Sequence, residues 1–329
     1  MIGLAVLAAA ASAQPGAPKI HADWAAGCDN GRACQAVGLM PEDDIAGTTM
    51  VVRRGAEAGA VPDVRITIHT GTAASLAIDG RALAVAVTPS ESRVTLTPRD
   101  ARTLLRAALT GQQLTVHDRT GKPVGTVSLN GLTAALIHID DAQRRIGTVT
   151  ALARPGKAPA SRVPPAPALP VIRRPAASAL PARALMPGNS ARETAALACE
   201  PGQQSGLDAV TVRLDAATSL ALLPFPCENG AYNYFAYALL IAEDGRVRPA
   251  RFDAPPGLDA STENVVVNGE WDAAERLLVT RARGRGLGDC GTISAFAWDG
   301  GSFRLARREE MPVCRGSADF ISTWRATIR

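Results

Sequence analysis

The sequence predicts a mainly β protein: a mixed α+β N-terminal part with two helices, then an antiparallel β meander folded as a sandwich or a partly closed barrel. Three observations predict it. Short runs of Val, Ile, Leu and Thr recur between Gly- and Asp-containing turns. Only two segments combine a helical apolar period with a helix start. Thirty Gly and twenty-three Pro favour loops and short strands over long helices. With 329 residues, two domains are the natural division, at about 100–200 residues each. A hydrophobic content of 47% beside 20% charged residues excludes wholesale disorder.

The opening run Met1–Ala13 is apolar and ends in Ala11-Ser12-Ala13, a small-x-small pattern. It predicts a signal peptide, residues 1–13, cleaved before Gln14. The run is too short to span a membrane, which takes about 20 apolar residues. No later stretch reaches that length, so no transmembrane segment is expected and the mature chain is placed in the periplasm or outside the cell.

A mixed α+β domain is expected over residues 20–153. Thr49–Arg53, Asp63–His69, Ser75–Ile78 and Ala82–Val87 read as strands. Thr97 then caps a helix, with Pro98 in its first turn and Asp100 near its positive end. Gln113–His117 and Val124–Leu129 make a hairpin, and Asn130 is the expected cap of a second helix. Leu132, Ala135, Leu136 and Ile139 form the buried face of that helix. Gly147–Ala153 reads as a returning strand. Residues 154–188 are rich in Pro and Ala and keep no apolar period, which predicts an extended linker. Residues 189–329 read as strand after strand. The clearest hairpin signal is Trp298-Asp-Gly-Gly301 before Phe303.

The six Cys residues, Cys28, Cys34, Cys199, Cys227, Cys290 and Cys314, suit three disulfides in an exported chain. Local pairing, Cys28–Cys34, Cys199–Cys227 and Cys290–Cys314, keeps each bridge inside one domain. A zinc site is disfavoured, because no C-x-x-C occurs and no His follows position 138.

Net charge is a mild +4, and only Lys19, Lys122 and Lys157 among the 35 basic residues are Lys. That bias toward Arg in an Ala-rich chain is compositional rather than a nucleic-acid footprint, so no nucleic-acid partner is expected. Gly286-Leu-Gly-Asp-Cys-Gly291 matches G-x-G-x-x-G, but a strand pattern follows it where phosphate binding needs a helix. No cofactor is therefore expected. G-x-S-x-G and S-x-x-K are absent, and the C-terminal half has no His for a triad. His138-Ile-Asp-Asp141 offers metal-binding atoms, yet adjacent helix positions do not share a face, and a solvated helix end is the expectation. Arg281, Arg283 and Arg285 alternate with Ala282, Gly284 and Gly286. At strand period two, three guanidiniums face one way, with Asp289 close by. The bland reading is a solvated strand paired with acids across the sheet. The functional reading is a docking face for a phosphate, a carboxylate or an acidic polysaccharide.

Several short signatures resemble a bacterial family, domain of unknown function 1176. They are Trp24-x-x-x-Cys28 with Cys34, and Leu129-Asn-Gly131-Leu-x-Ala134-Ala135 leading to Asp140–Arg145. Gly230-Ala-Tyr-Asn233 and Arg283-Gly-Arg-Gly-Leu-Gly-Asp-Cys-Gly291 with Trp298-Asp-Gly300 complete the set. The N-terminal half is also similar to the invasion-associated locus B family, without that family's second Cys pair. These resemblances imply an exported, disulfide-bonded envelope protein and supply no catalytic residue. The expectation is a non-catalytic binding or interaction protein whose partner is an anionic envelope component or another protein. The alternatives are a hydrolase-type enzyme using Asp289 and the neighbouring arginines, or a secreted host-interaction factor.

Overall fold

The computed structural model describes residues 16–41, 47–185, 209–225, 230–258 and 263–329. The expected leader, residues 1–13, and the expected bridge between Cys199 and Cys227 lie outside the described residues.

Turns come early and often in the N-terminal half, so its strands are short. They are β1 (Lys19–His21), β2 (Trp24–Cys28), β3 (Cys34–Gly38), β4 (Thr49–Arg54), β5 (Asp63–Thr67), β6 (Ser75–Ile78), β7 (Arg81–Ala82) and β8 (Arg93–Thr95). Helix α1 (Pro98–Ala108), β9 (Gln113–His117), β10 (Pro123–Ser128) and α2 (Leu132–Ala142) follow. One antiparallel sheet runs β1-β2-β3-β4-β5-β8, and a smaller one runs β10-β9-β6-β7. Between them lies a core of Trp24, Met50, Ile66, Leu76 and Leu114, closed by Leu104 of α1 and Leu136 of α2.

Helix α1 starts as its sequence predicts: the Thr97 side chain accepts the Asp100 N–H at 3.2 Å, and Ala101, Leu104, Leu105 and Ala108 are buried. The second helix buries the expected face, but its cap is Gly131, at φ 93°, instead of Asn130. The β1–β2 turn forces this choice, because a Cβ on Gly131 would lie 1.8 Å from the His21 carbonyl oxygen. The expected strand Ala82–Val87 ends at Ala82. Burial still alternates beyond it, with Leu83, Val85 and Val87 packed on the core, and the Leu83 N–H still donates to the Leu76 carbonyl of β6 at 2.8 Å, but among the described residues no strand ladder continues past it. Gly147–Ala153 is a turn-rich loop, held by Asp140 through the N–H groups of Leu152 and Ala153, each at 2.9 Å.

Between the two halves lies β11 (Val171–Ile172). The C-terminal half contains β12 (Val210–Arg213), β13 (Thr218–Pro224), β14 (Phe235–Ala242), β15 (Val247–Pro249), β16 (Val265–Val267) and β17 (Glu270–Asp272). It continues with β18 (Leu277–Arg283), β19 (Gly291–Trp298), β20 (Phe303–Met311), β21 (Ile321–Arg325) and β22 (Thr327–Ile328). One sheet is β12-β13-β14-β15 with β16 also on β14, and the other is β17-β18-β19-β20-β21. Leu220, Leu240 and Val266 of the first pack on Leu278, Phe296 and Phe303 of the second. The result is a sandwich of two open sheets, not a closed barrel. Trp298 and Phe303 pair across the expected hairpin, where Asp299 accepts the Gly301 and Ser302 N–H groups.

Strands β2, β3 and β4 of the six-stranded sheet are buried on both faces. Trp24, Ala26, Ala36, Met50 and Val52 point to the helices. Their alternates Ala25, Val37, Leu39 and Val51 meet Cys290, Met311 and Ile321 of the C-terminal half. Polar ties ring this contact. Arg315 pairs with Asp23 at 2.9 Å, the Gln35 amide donates to the Phe320 carbonyl at 3.0 Å, and Arg325 pairs with Asp29.

The proline-rich segment is not a free spacer. Its β11 pairs in parallel with β22, the Arg174 N–H donates to the Arg329 carbonyl at 2.7 Å, and Val163 and Ile172 are buried. Proline removes donors but leaves carbonyls and the intervening N–H groups, and these suffice to lay an extended chain along a strand. Limited proteolysis of the folded protein is therefore expected to leave residues 158–174 intact until the molecule unfolds. Early cleavage inside that stretch, mapped by mass spectrometry, would restore the spacer reading.

Candidate functional site

Arg281 and Arg283 share a face of β18, as strand alternation requires, and both are exposed. Their direct partners on β19 are Ile293 and Gly291, not acids, and among the described residues no carboxylate pairs with either guanidinium. The same face carries Glu309, which pairs with Ile293 from the far side, two strands from Arg281.

Beyond Arg283 the strand stops. Arg285 sits in the glycine-rich bend and forms a two-pronged bond to Asp289: Nε to Oδ1 at 2.8 Å and Nη2 to Oδ2 at 2.6 Å. Asp289 also accepts the Gly316 N–H at 2.7 Å. Arg285 and that backbone N–H hold the Asp289 carboxyl below the usual carboxylate range. The charges of Arg285 and Asp289 offset each other, so the row of three contains two arginines without an acidic partner and one that fastens the bend.

The bend leads into strand β19, not into a helix, so it presents no row of helix N–H groups to a phosphate. Gly291 is required for a different reason: at φ 124°, a Cβ there would lie 2.0 Å from the Ala282 carbonyl oxygen. The Cys290–Cys314 disulfide ties the bend to the loop after β20, and Cys28–Cys34 closes the β2–β3 hairpin.

Two residues that sequence reasoning did not single out by role hold the outer edge of β18. The Asn233 side chain donates to the Arg283 carbonyl at 2.9 Å and accepts the Arg283 N–H at 3.0 Å. Asn268 donates to the Arg281 carbonyl at 2.7 Å and to Asn233 Oδ1 at 2.9 Å. Strand β17 pairs β18 only as far as Val279, so these side chains take over where the ladder ends. The signal was the Gly230-Ala-Tyr-Asn233 signature, whose Tyr232 hydroxyl also reaches the Gly284 carbonyl at 3.2 Å.

Arg281, Arg283, Gly288, Thr292, Ile293 and Phe320 line a recess of about 220 Å³. On the other side of Phe320 a recess of about 450 Å³ opens between the halves, lined by Asp29, Arg53, Asp63, Glu309 and Arg325 among others. Its charges are mixed and partly spent: Asp29 pairs with Arg325 inside it, and Arg53 pairs with Asp319 beside it at 3.3 Å.

Asp140 lies inside the protein, not at a solvated helix end. It pairs with Arg54 at 2.7 Å, and both side chains are wholly buried. Among the described residues, no group of three or more His, Cys, Asp or Glu side chains is arranged to hold a metal ion. Nor is any described helix long and apolar enough to cross a membrane.

Paired β units, disulfide-tied loops and a surface recess edged by arginine define a mainly β, disulfide-bonded protein. No solved structure matches it at a significant level. The chain belongs to the family described as protein of unknown function DUF1176, whose model matches residues 18–327. It is similar to the uncharacterized protein YpfG of Escherichia coli (strain K12), with 31% identity over 323 residues, 91% of this chain and 89% of that one.

Proposed function

We propose that the protein is an exported binding protein of the bacterial envelope that docks an anionic group on Arg281 and Arg283. The observation that carries the reading is a pair of exposed guanidiniums, without acidic partners among the described residues, lining a recess together with Ile293 and Phe320. Phosphate and carboxylate oxygens match the donor geometry of arginine. Arg285 and Asp289 serve as positioning residues that fix the bend. Export is supported by the leader pattern of residues 1–13 and by the disulfides, which persist in oxidising compartments. The likeness of the N-terminal half to the invasion-associated locus B family supports the same setting and supplies no ligand. In this reading residues 20–153 and 189–329 are two units, and of the segment between them residues 154–165 are tied to the first and residues 171–183 to the second.

The test is retention of the purified protein on phosphate and acidic-glycan matrices. Replacing both residues, Arg281→Ala with Arg283→Ala, is expected to move elution to clearly lower salt while the melting temperature stays constant. Each lost contact between an exposed arginine and an anion is worth about 0.2–1 kcal/mol. The control removes the same charge elsewhere, with Arg248→Ala and Arg251→Ala, both exposed. Equal retention of the two double variants would return Arg281 and Arg283 to ordinary solvated surface.

A further inference from the structure

His21 ends β1 and His138 lies on α2, and the fold brings their rings together, with 5.5 Å between centroids and 58° between planes. The approach is built in. The β1–β2 turn is pressed against the start of α2 at Gly131, the Asp23 N–H donates to the Asn130 carbonyl at 3.2 Å, and the Ser128 hydroxyl donates to Asp23 at 2.7 Å. His21 Nε2 is buried and has no hydrogen-bond partner among the described residues. A buried polar nitrogen left unpaired costs about 1–3 kcal/mol. In native proteins such an atom commonly marks the place of an ion or a water.

The spacing of the two rings is compatible with a shared ion. Imidazoles that share one Zn²⁺, with Zn–N about 2.0–2.1 Å and a near-tetrahedral angle, have ring centroids roughly 5–5.5 Å apart. The rings of His21 and His138 stand at 5.5 Å, with planes steeply inclined, as two ligands of one ion do.

We propose that His21 and His138 together form a binding site for a divalent transition-metal ion of the zinc and nickel type, with water completing the coordination sphere. Imidazole is the ligand such ions share. The charged groups facing the pair are Lys19 from β1, which opposes a cation, and Asp141 from α2, which favours one. With only two protein ligands the site differs from a four-ligand structural zinc. It lies on the N-terminal half and is independent of the arginine recess.

The experiment is calorimetric titration of the tag-free, chelator-stripped protein with Zn²⁺ and with Ni²⁺ at pH 7.5, alongside melting curves with and without each metal. The intact protein is expected to bind one equivalent with a Kd of about micromolar order and to melt higher with metal present. His138→Gln and His21→Gln should each weaken binding roughly tenfold or more. The double variant His69→Gln with His117→Gln should bind as the intact protein does. His138 is only half-buried on a helix side, so His138→Gln is the decisive variant if His21→Gln folds poorly. No stoichiometric binding by the intact protein, or undiminished binding by folded His138→Gln, would overturn the site.

Discussion

Replacing Asp140 with Ala should lower the stability of the protein by about 3–5 kcal/mol, the usual result of stranding one member of a buried ion pair. The Arg54 guanidinium donates to Asp140 Oδ1 at 2.7 Å, to Gln143 Oε1 at 2.7 Å and to the Thr150 carbonyl at 3.0 Å, and has no access to water. Burial pushes Arg54 down to about 10, and its hydrogen bond and charge pairing with Asp140 resist that fall. Without the carboxylate, a cation stays inside with no counter-charge, and the Leu152 and Ala153 N–H groups lose their acceptor. Thermal or urea unfolding measures the loss, expected as a drop in melting temperature of roughly 5–15 °C. Asp140→Asn keeps an acceptor and loses the charge, so it should fall between Asp140→Ala and the intact protein. A melting temperature unchanged in Asp140→Ala would mean that the network contributes nothing net.

Removing the Cys290–Cys314 disulfide should cost about 3 kcal/mol by the loop-closure estimate for its 24-residue separation. It should also do something that removing Cys28–Cys34 does not. Cys290 lines the arginine recess and lies in the apolar contact between the halves. Replacing both cysteines with Ala is therefore expected to reduce anion retention along with melting temperature. The corresponding change at Cys28 and Cys34, whose loop spans only 6 residues, should cost less stability and leave retention as it was. Equal effects of the two double variants on retention would separate the recess from the bridge.

Where a signal is local, the sequence shows it. Thr97, Pro98 and Asp100 announce α1, and Asp299 with two glycines announces the β19–β20 turn. Strands β1–β3 were missed because Trp24-Ala-Ala-Gly-Cys28 has little β propensity. It forms a strand because small residues let a sheet be covered closely on both faces, which is a tertiary effect. Asp140 reads as a solvated helix end because its partner, Arg54, is 86 residues away in sequence. Strand parity holds for Arg281 and Arg283 and fails for Arg285, since the chain turns after Arg283. The proline-rich segment reads as a spacer because its partner strand, β22, lies far along the chain.

That last distance has a consequence for how the molecule is made. The Asn30 side chain grips the backbone of Arg325, 295 residues on, and the outer face of β2 and β3 is covered by the segment containing Ile321. A polypeptide that emerges N-terminus first completes its opening hairpin long before those residues arrive. Until then Ala25, Val37 and Val51 face water, and closing so long a loop delays the cover further. The nascent protein thus carries a half-covered apolar sheet through most of its synthesis. Strand β21 acts as the clasp: cutting it away would bare the outer face of β2 and β3 rather than fray one edge.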